Sequence, residues 1–262
     1  MKIAFSDFDG TLYFHHEDII PQINIEAVNE WRSKGNIFVL CSGRDVHSLM
    51  HEVNNQELTY DFVICNNGGT IFDKNLKLIK SFPLDKIQLE KLVHSDIAKE
   101  SWHILFSSAE KTMINSPKSQ LLKYFESEKY KNQDIIQKIT VEQALSEMNV
   151  IQISLAYETE EIANNYAKRI NSEFEGAFLA NMNLNCIDIC AKGINKAQGV
   201  KELLNLQKDK YFEQVLTIGD AQNDVPMIKE FEGYSLNSAT MHAKNVATKL
   251  YDSVGEMLLD NM

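Results

Sequence analysis

The chain contains short apolar segments that are each followed at once by a polar cluster rich in aspartate, asparagine or glycine. The segments IAFS, IFVLC, FVIC and VLTI are almost continuously apolar, which is typical of parallel strands buried on both faces. The clusters that follow them are DFDGT, SGR, NNGG and GDAQND. Because ligands of parallel α/β sheets bind outside the carboxyl ends of the strands, we expect the four clusters to converge on one cleft.

Helical patterns separate the first three of these strands. Apolar residues recur at helical spacing over Gln22–Lys34, before a glycine at position 35, and a second helix is expected after SGRD. The order strand, helix, strand, helix, strand indicates a doubly wound α/β fold with a parallel sheet. The segment TIFDKNLKLI, after NNGG, has the pattern of a hairpin.

The pattern changes between residues 83 and 188. Amphipathic helices, expected over Asp85–Ala98 and Thr159–Asn171, alternate there with short strands, which is typical of an α+β domain. The parallel α/β pattern then resumes. We therefore predict a Rossmann-like parallel-sheet core of residues 1–82 and 189–262, interrupted by an inserted α+β domain of residues 83–188.

Charge and composition restrict the partners of this chain. It has 26 Lys and Arg against 37 Asp and Glu, a formal net charge of −11, which disfavours nucleic acid and anionic membranes as partners. No apolar run reaches membrane-spanning length, and Asp7 comes too early for a signal-peptide core. The four cysteines form no CxxC pair or zinc spacing. We expect a cytoplasmic protein with reduced thiols, either a monomer or a weak homodimer.

Each polar cluster has a structural alternative. DFDGT can be an Asx-type turn, SGR a helix N-cap, NNGG a hairpin turn and GDAQND a loop with a capping aspartate. A D-x-D-G-T string arises by chance about once in 10⁵ positions at ordinary residue frequencies. Two aspartates so close together repel unless positive charge lies near them. Four such clusters at one sheet edge therefore favour a functional site.

The clusters DFDGTL, SGR and GDAQND, together with Lys196, resemble the four ordered motifs of the haloacid-dehalogenase-like phosphohydrolases. The length and position of the insert resemble the Cof-type branch, whose large cap lies between the second and third motifs. The resemblance spans the whole chain. It implies a Mg²⁺-dependent phosphatase of small phosphorylated metabolites, with sugar phosphates as the expected substrates. The reaction would pass through an aspartyl-phosphate, and the cap would determine which substrate is used.

Carried over residue by residue, the resemblance also implies roles. Asp7 would be the nucleophile, Asp9 the general acid and then the base, and Lys196 the source of positive charge for the nucleophile and phosphoryl oxygens. Thr11 would hold the side chain of Asp9. The implied metal ligands are Asp7, Asp9 through its backbone carbonyl and Asp220, with Asp224 either a direct ligand or a residue that supports the ligands. The implied phosphate or substrate contacts are Gly10, Thr11, Ser42, Gly43, Arg44, Asn67 and Asn223.

A charge count supports the metal. Asp7, Asp220 and Asp224 carry three negative charges against one positive charge on Lys196, so an incoming phosphate would be repelled without a cation. Mg²⁺ suits a hard, all-oxygen site with few carboxylates.

Some assignments stay open on the sequence alone. Either Asn66 or Asn67 could face the cleft, and Lys192 is an alternative to Lys196. After Lys196 the run Ala197-Gln198-Gly199 departs from the Gly-x-Ala pattern of the family.

The histidines invite two further interpretations. His47 and His51, four residues apart, could imitate a zinc pair but have no adjacent Glu and no third ligand. His15 and His16 are more readily explained as part of a solvated loop than as substrate contacts.

Two other functions are compatible with the motifs. A phosphomutase would need a basic cap surface, whereas the lysines and arginine of the insert are scattered among acids (Lys111, Lys118, Lys123, Lys168 and Arg169). A non-catalytic phosphate-binding regulatory protein would be expected to lack Asp7 or Asp9, and both are present.

Overall fold

A computed structural model describes residues 1–115 and 136–262 of the chain, so Lys118 and Lys123 lie outside the described residues. Contacts divide the chain into two compact units. Unit 1 comprises Met1–Arg44, Leu49–Lys80 and Asn195–Met262. Unit 2 comprises Asp45–Ser48 and Ser81–Ile194.

Unit 1 is built on an eight-stranded sheet, with strands numbered along the chain and arranged in the order β14-β13-β12-β1-β2-β3-β4-β5. Strands β1 to β3 and β12 to β14 are parallel to their neighbours, whereas β4 pairs antiparallel with β3. The bounds are β1 Ile3–Asp7, β2 Ile37–Cys41, β3 Phe62–Cys65, β4 Thr70–Asp73, β5 Leu78–Ser81, β12 Val215–Gly219, β13 Glu232–Leu236 and β14 Lys249–Tyr251.

The central strands form where the sequence is continuously apolar. Every residue of β1 and β2 is buried, as expected for parallel strands covered on both faces. On one face Phe5, Val39 and Ile64 pack with Val200 and Leu203. The helices of unit 1 are Gln22–Ser33, Lys196–Leu206, Val225–Glu230, Met241–Lys244 and Val254–Asp260, and the helix Val46–Val53 belongs to unit 1 from Leu49 onward.

Unit 2 contains a six-stranded sheet in the order β10-β11-β9-β6-β7-β8. Helices cover one face of this sheet, where Phe106, Ile153, Leu155 and Ile187 are buried in a common core. The strands are β6 His103–Ser107, β7 Thr112–Asn115, β8 Ile136–Lys138, β9 Gln152–Ala156, β10 Phe178–Asn183 and β11 Cys186–Ala191. The helices are Lys86–Val93, Asp96–Glu100, Val141–Glu147 and Glu160–Glu173.

The predicted fold class is confirmed: a parallel α/β core is interrupted by an α+β insert. One predicted element is wrong, because Asp85–Ala98 is not a single helix. The first helix ends at Val93, and Ser95 turns back so that its hydroxyl donates to the Leu92 carbonyl at 2.6 Å. Ser95 then occupies the N-cap position of the second helix, Asp96–Glu100. A serine that hydrogen-bonds to local backbone competes with helix continuation.

Candidate active site

The four polar clusters follow parallel strands of unit 1. Asp7 is the last residue of β1, Ser42 follows β2, and Asp220 follows β12. Because β1 lies between β2 and β12 and all three run in the same direction, these residues share one edge of the sheet. The predicted convergence is therefore observed within unit 1.

Three carboxylates and one ammonium form the centre of this site. Asp7, Asp220 and Asp224 each place a carboxylate oxygen within 4.8 Å of the others. The Lys196 Nζ donates to Asp7 Oδ1 and, at 2.6 Å, to Asp224 Oδ1. Asp224 and Lys196 are at most 1% exposed, so these charges lie in a low-dielectric environment where pairing matters most.

Burial and mutual repulsion raise the pKa values of the carboxylates in this centre, and one ammonium does not fully compensate for them. Burial raises the pKa of Asp7, the neighbouring Asp224 raises it further, and Lys196 only partly offsets this. The pKa of Asp220 is raised for the first two reasons as well. Burial opposes the charge on Lys196, but Asp224 and Asp7 outweigh it and raise its pKa, so the ammonium stays protonated. The donor set of close carboxylate oxygens fits a hard divalent cation.

The loop after Asp7 turns sharply toward Asp220. Gly10 has φ +84°, and a Cβ at this position would lie 2.7 Å from Asp220 Oδ2, so only glycine fits. Thr11 Oγ1 donates to Asp220 Oδ1 at 2.9 Å. The expectation that Thr11 holds Asp9 is therefore wrong. The tight turn at Gly10 brings the Thr11 hydroxyl to Asp220, a predicted metal ligand, instead.

Asp224 organises the loop after β12. Its Oδ2 accepts hydrogen bonds from the backbone N–H groups of Asp220 at 3.1 Å and Ala221 at 3.0 Å, while its Oδ1 accepts from Lys196. Asp224 thus fixes both the backbone at Asp220 and the ammonium of Lys196. Contacts within the chain alone therefore fix the orientation of the Asp224 carboxylate.

The Asp9 side chain pairs with Arg44, and it also lies close enough to Asp7 for its charge to raise the pKa of that carboxylate. Arg44 Nε donates to Asp9 Oδ2 at 3.0 Å and Arg44 Nη2 to Asp9 Oδ1 at 2.8 Å, while His15 Nε2 lies 2.8 Å from Asp9 Oδ1. Although burial raises the pKa of Asp9, Arg44 and His15 outweigh it and hold this pKa well below its ordinary value. Arg44 was predicted as a substrate contact, and the structure places its guanidinium on Asp9. His15 lies in an exposed loop, as expected, with its side chain 52% exposed, and it also contacts Asp9.

Four of the predicted phosphate or substrate contacts lie together, namely Ser42, Gly43, Asn67 and Asn223. Asn223 Nδ2 donates to Asn67 Oδ1 at 3.1 Å, and a Cβ on Gly43 would lie 3.2 Å from Asn67 Nδ2. The backbone carbonyl of Ser42 accepts from the Asn67 N–H at 3.0 Å. Asn66 turns elsewhere, because its Oδ1 accepts from Thr70 at 2.9 Å. Asn67 is thus the member of this pair that lies with Asn223 and Gly43.

The structure also separates the two candidate lysines. Lys196 is the first residue of the helix Lys196–Leu206. Asn195 caps this helix, and its Oδ1 accepts a hydrogen bond from the Gln198 N–H at 2.9 Å. Lys192 is exposed one residue after β11, in unit 2. Position 199 accepts only glycine in this backbone: a Cβ there would lie 2.9 Å from Gly68 Cα and 2.8 Å from Ile64 Cγ2.

Comparison with known proteins identifies the family. Residues 4–256 match the model of the haloacid dehalogenase-like hydrolases. The chain belongs to this family. The resemblance of the sequence motifs is thereby confirmed. Within the described ranges 1–115 and 136–262, no helix is both long and apolar enough to cross a bilayer.

Relatives of the haloacid dehalogenase-like family match along nearly the whole chain. The 5-amino-6-(5-phospho-D-ribitylamino)uracil phosphatase YcsE of Bacillus subtilis strain 168 is 25% identical over 256 residues, which cover 97% of this chain and 90% of that protein. A haloacid dehalogenase-like hydrolase from B. subtilis has a TM-score of 0.87 at 20% identity and 100% coverage of both chains. The subclass IIB sugar phosphatase BT4131 has a TM-score of 0.80 at 20% identity, covering 100% of this chain and 99% of its own. These structures share the fold, and the chain is an enzyme of the phosphatase type.

Sequence reasoning missed two residues of the site region. Glu52, on the helix Val46–Val53, is buried and pairs with Arg44, and Tyr13 is fully buried beside it. Neither belongs to a motif, and no local pattern distinguishes them from ordinary helix and loop residues. The one sign in the sequence is that Glu52 places a charge next to apolar residues of its helix.

Proposed function

We propose that this phosphatase hydrolyses small phosphorylated metabolites, with sugar phosphates as the expected class, through an aspartyl-phosphate on Asp7 and with Mg²⁺ as the cation. The observation that carries the proposal is the position of Lys196, whose buried ammonium donates to both Asp7 and Asp224. A nucleophilic carboxylate beside a fixed cation is the arrangement that phosphoryl transfer requires, since catalysis depends on positioning and charge stabilisation.

Asp7 and Asp9 divide the chemistry between them. A carboxylate oxygen of Asp7 attacks phosphorus, the bond to the ester oxygen breaks, and Asp9 gives that oxygen a proton. Asp9 then takes a proton from water, which attacks phosphorus and releases Asp7 and inorganic phosphate. Arg44 and His15 favour the ionised form of Asp9, which suits the second step and opposes the first, in which Asp9 must carry a proton to give to the ester oxygen. The proton that Asp9 takes from water in one turnover is the proton that it gives to the ester oxygen in the next.

Asp7, Asp220 and the backbone carbonyl of Asp9 would hold Mg²⁺, with Asp224 orienting the loop that carries Asp220. When bound, the cation would neutralise charge on the phosphoryl oxygens. Lys196 supplies the one positive charge that the chain itself brings to Asp7, and Asn67 and Asn223 offer amide groups for phosphate oxygens.

Unit 2 has features suited to selecting a substrate. The face of its sheet opposite the helix-covered core carries Ser107, Gln152, Ser154, Asn181 and Asp188, which the strand registers place on one side. Hydroxyl, amide and carboxylate groups suit the hydroxyls of a sugar or polyol. We assign substrate selection to this insert, in keeping with the predicted role of residues 83–188 as a cap.

The phosphomutase alternative receives less support. A mutase must hold a second phosphate, which calls for unpaired positive charge in the insert. Arg169 is already paired, with Asp96 at 2.8 Å and Glu173 at 2.8 Å. A non-catalytic role also fits poorly, because Asp7, Asp9 and Lys196 are all present and Lys196 donates to Asp7.

The proposal is tested with a panel of phosphate monoesters in the presence of Mg²⁺, using the parent and Asp7→Asn. The amide keeps the shape of Asp7 but removes the nucleophile, so turnover should fall by several orders of magnitude, on the order of 10⁴-fold or more. Turnover of Asp7→Asn within about tenfold of the parent would rule out the aspartyl-phosphate route. Circular dichroism spectra that match the parent would show that the loss is chemical.

A further inference from the structure

Glu52 is a buried carboxylate that no motif explains. It lies on the helix Val46–Val53 and is 5% exposed. A carboxylate at such a position is costly unless it is paired and hydrogen-bonded. Its partners are the Arg44 Nη1, 3.2 Å from Oε1, and the Tyr13 hydroxyl, 3.1 Å from Oε2.

Glu52 binds the side of the Arg44 guanidinium that Asp9 leaves open. Arg44 uses Nε and Nη2 on Asp9 and Nη1 on Glu52. The guanidinium is planar and its donors have a fixed geometry, so anchoring the third corner fixes the plane of the two bonds to Asp9. The Phe8 ring lies 5.9 Å from Arg44 Cζ and restricts the same group from its face.

Tyr13 fixes Glu52 in turn. Its ring stacks on Phe8 with centroids 5.0 Å apart, and its hydroxyl lies between the carboxylates of Glu52 and Asp18. Tyr13 is fully buried, so its hydroxyl has a restricted position. The contacts therefore run without a break from Tyr13 through Glu52 and Arg44 to Asp9.

We infer that Glu52 is a positioning residue for the reaction: it holds Arg44 so that Asp9 is presented in one orientation to the ester oxygen and to water. This inference rests on the proposed function, in which Asp9 transfers the protons. Misplacement of a reacting group by about 1 Å can cost on the order of 10²-fold in rate. A carboxylate held by two donors of one rigid group is less free to rotate than one held by a single flexible contact.

The test compares Glu52→Ala, Glu52→Gln and the matched control Glu57→Gln, whose residue is exposed on the same segment. The substrates are 4-nitrophenyl phosphate, whose leaving group needs no proton, and an alkyl phosphate such as glycerol phosphate, whose leaving group does. The readout is the ratio of kcat/KM for the alkyl ester to that for the aryl ester, with melting temperatures measured in parallel. Glu52→Ala should lower this ratio by about tenfold or more, because only the alkyl ester depends on proton delivery.

Glu52→Gln keeps an oxygen that can accept from Arg44, so it should recover part of the ratio, and Glu57→Gln should match the parent. A purely structural role would lower both rate constants equally and leave the ratio unchanged, which would overturn the inference. If Glu52→Ala does not fold, Glu52→Gln must still lower the ratio by about threefold, and a parental ratio would overturn it equally. A parent without activity on either ester would overturn the proposed function, whereas an active parent with unchanged variant ratios would overturn only the role of Glu52.

Discussion

At the scale of single residues, the site depends on a balance of buried charges. Lys196 is one buried ammonium that serves two buried carboxylates, and removing one partner of a buried ionic group typically costs about 3–5 kcal/mol. Asp9 has a separate cation in Arg44. The two aspartates of DFDGT are therefore close in sequence but have different counter-charges, so the proposed nucleophile, Asp7, and the proposed proton carrier, Asp9, can be altered independently.

This separation predicts distinct effects for Asp9→Asn. The variant loses proton transfer, which is typically worth about 10²–10⁴-fold, so kcat/KM for an alkyl phosphate should fall by that order. The kcat/KM for 4-nitrophenyl phosphate should change far less, because its leaving group departs without a proton. Phosphoenzyme should accumulate, since water is no longer activated. Quench-flow with a radiolabelled aryl phosphate checks this, with Asp7→Asn as the control that forms no phosphoenzyme. Equal losses on both esters would contradict the role of Asp9.

At the scale of elements, the strands of the core could be predicted because burial on both faces leaves continuous apolar runs. The polar clusters were predictable as a group, since strand direction alone brings their positions together. The contacts within the group were not. Thr11 binds Asp220, Arg44 binds Asp9, and Glu52 binds Arg44 in turn. Such pairings depend on side-chain directions set by turns such as Gly10, which no periodicity reports. The break in the helix after Val93 was missed because amphipathic spacing continues across it.

We expect one buried histidine of unit 2 to make the stability of the fold depend on pH. Burial of His103, in β6, lowers its pKa to about 4 from an ordinary value of 6.5. The unfolded chain therefore takes up the proton first, so stability is complete above about pH 6.5 and is lost as pH falls toward 4. With about 1.4 kcal/mol per pKa unit, the loss reaches at most roughly 3 kcal/mol.

We expect His103→Gln to make the free energy of unfolding less dependent on pH. The free energy of unfolding in urea should fall less between pH 7 and pH 5 in the variant than in the parent. His94→Gln, an exposed histidine in the same unit, serves as the control and should follow the parent curve. A variant with the parental pH dependence would show that the acid sensitivity arises elsewhere.

At the scale of the whole molecule, an acidic chain must act on an acidic substrate. The formal net charge is −11, and the acidic centre has three carboxylates for one lysine. We therefore propose that phosphate binding needs positive charge from outside the chain. If so, turnover and melting temperature should both respond to the divalent cation that is present.

We expect EDTA to abolish turnover and Mg²⁺ to restore it, while Ca²⁺ does not. Ca²⁺ takes more ligands at longer distances, which would let Asp7 coordinate in a way that prevents attack. Mg²⁺ should also raise the melting temperature of the parent, because a ligand that binds only the folded state stabilises it. Asp220→Asn should weaken both responses, and Asp209→Asn, at an exposed aspartate, should keep them. Full activity in excess chelator would remove the cation from the mechanism.

The contact between Gly68 and Gly199 limits how this sequence can diverge. Backbone meets backbone there, and Ile64 occupies the remaining space. A methyl group at position 199 would push the helix Lys196–Leu206 away from the loop that carries Asn67, and Lys196 lies only one turn before it. Descendants of this chain should therefore keep both glycines, or change positions 64, 68 and 199 together. Correlated substitution at positions 64, 68 and 199 among related sequences would be evidence of this packing constraint, although none of the three residues is placed at the reacting atoms.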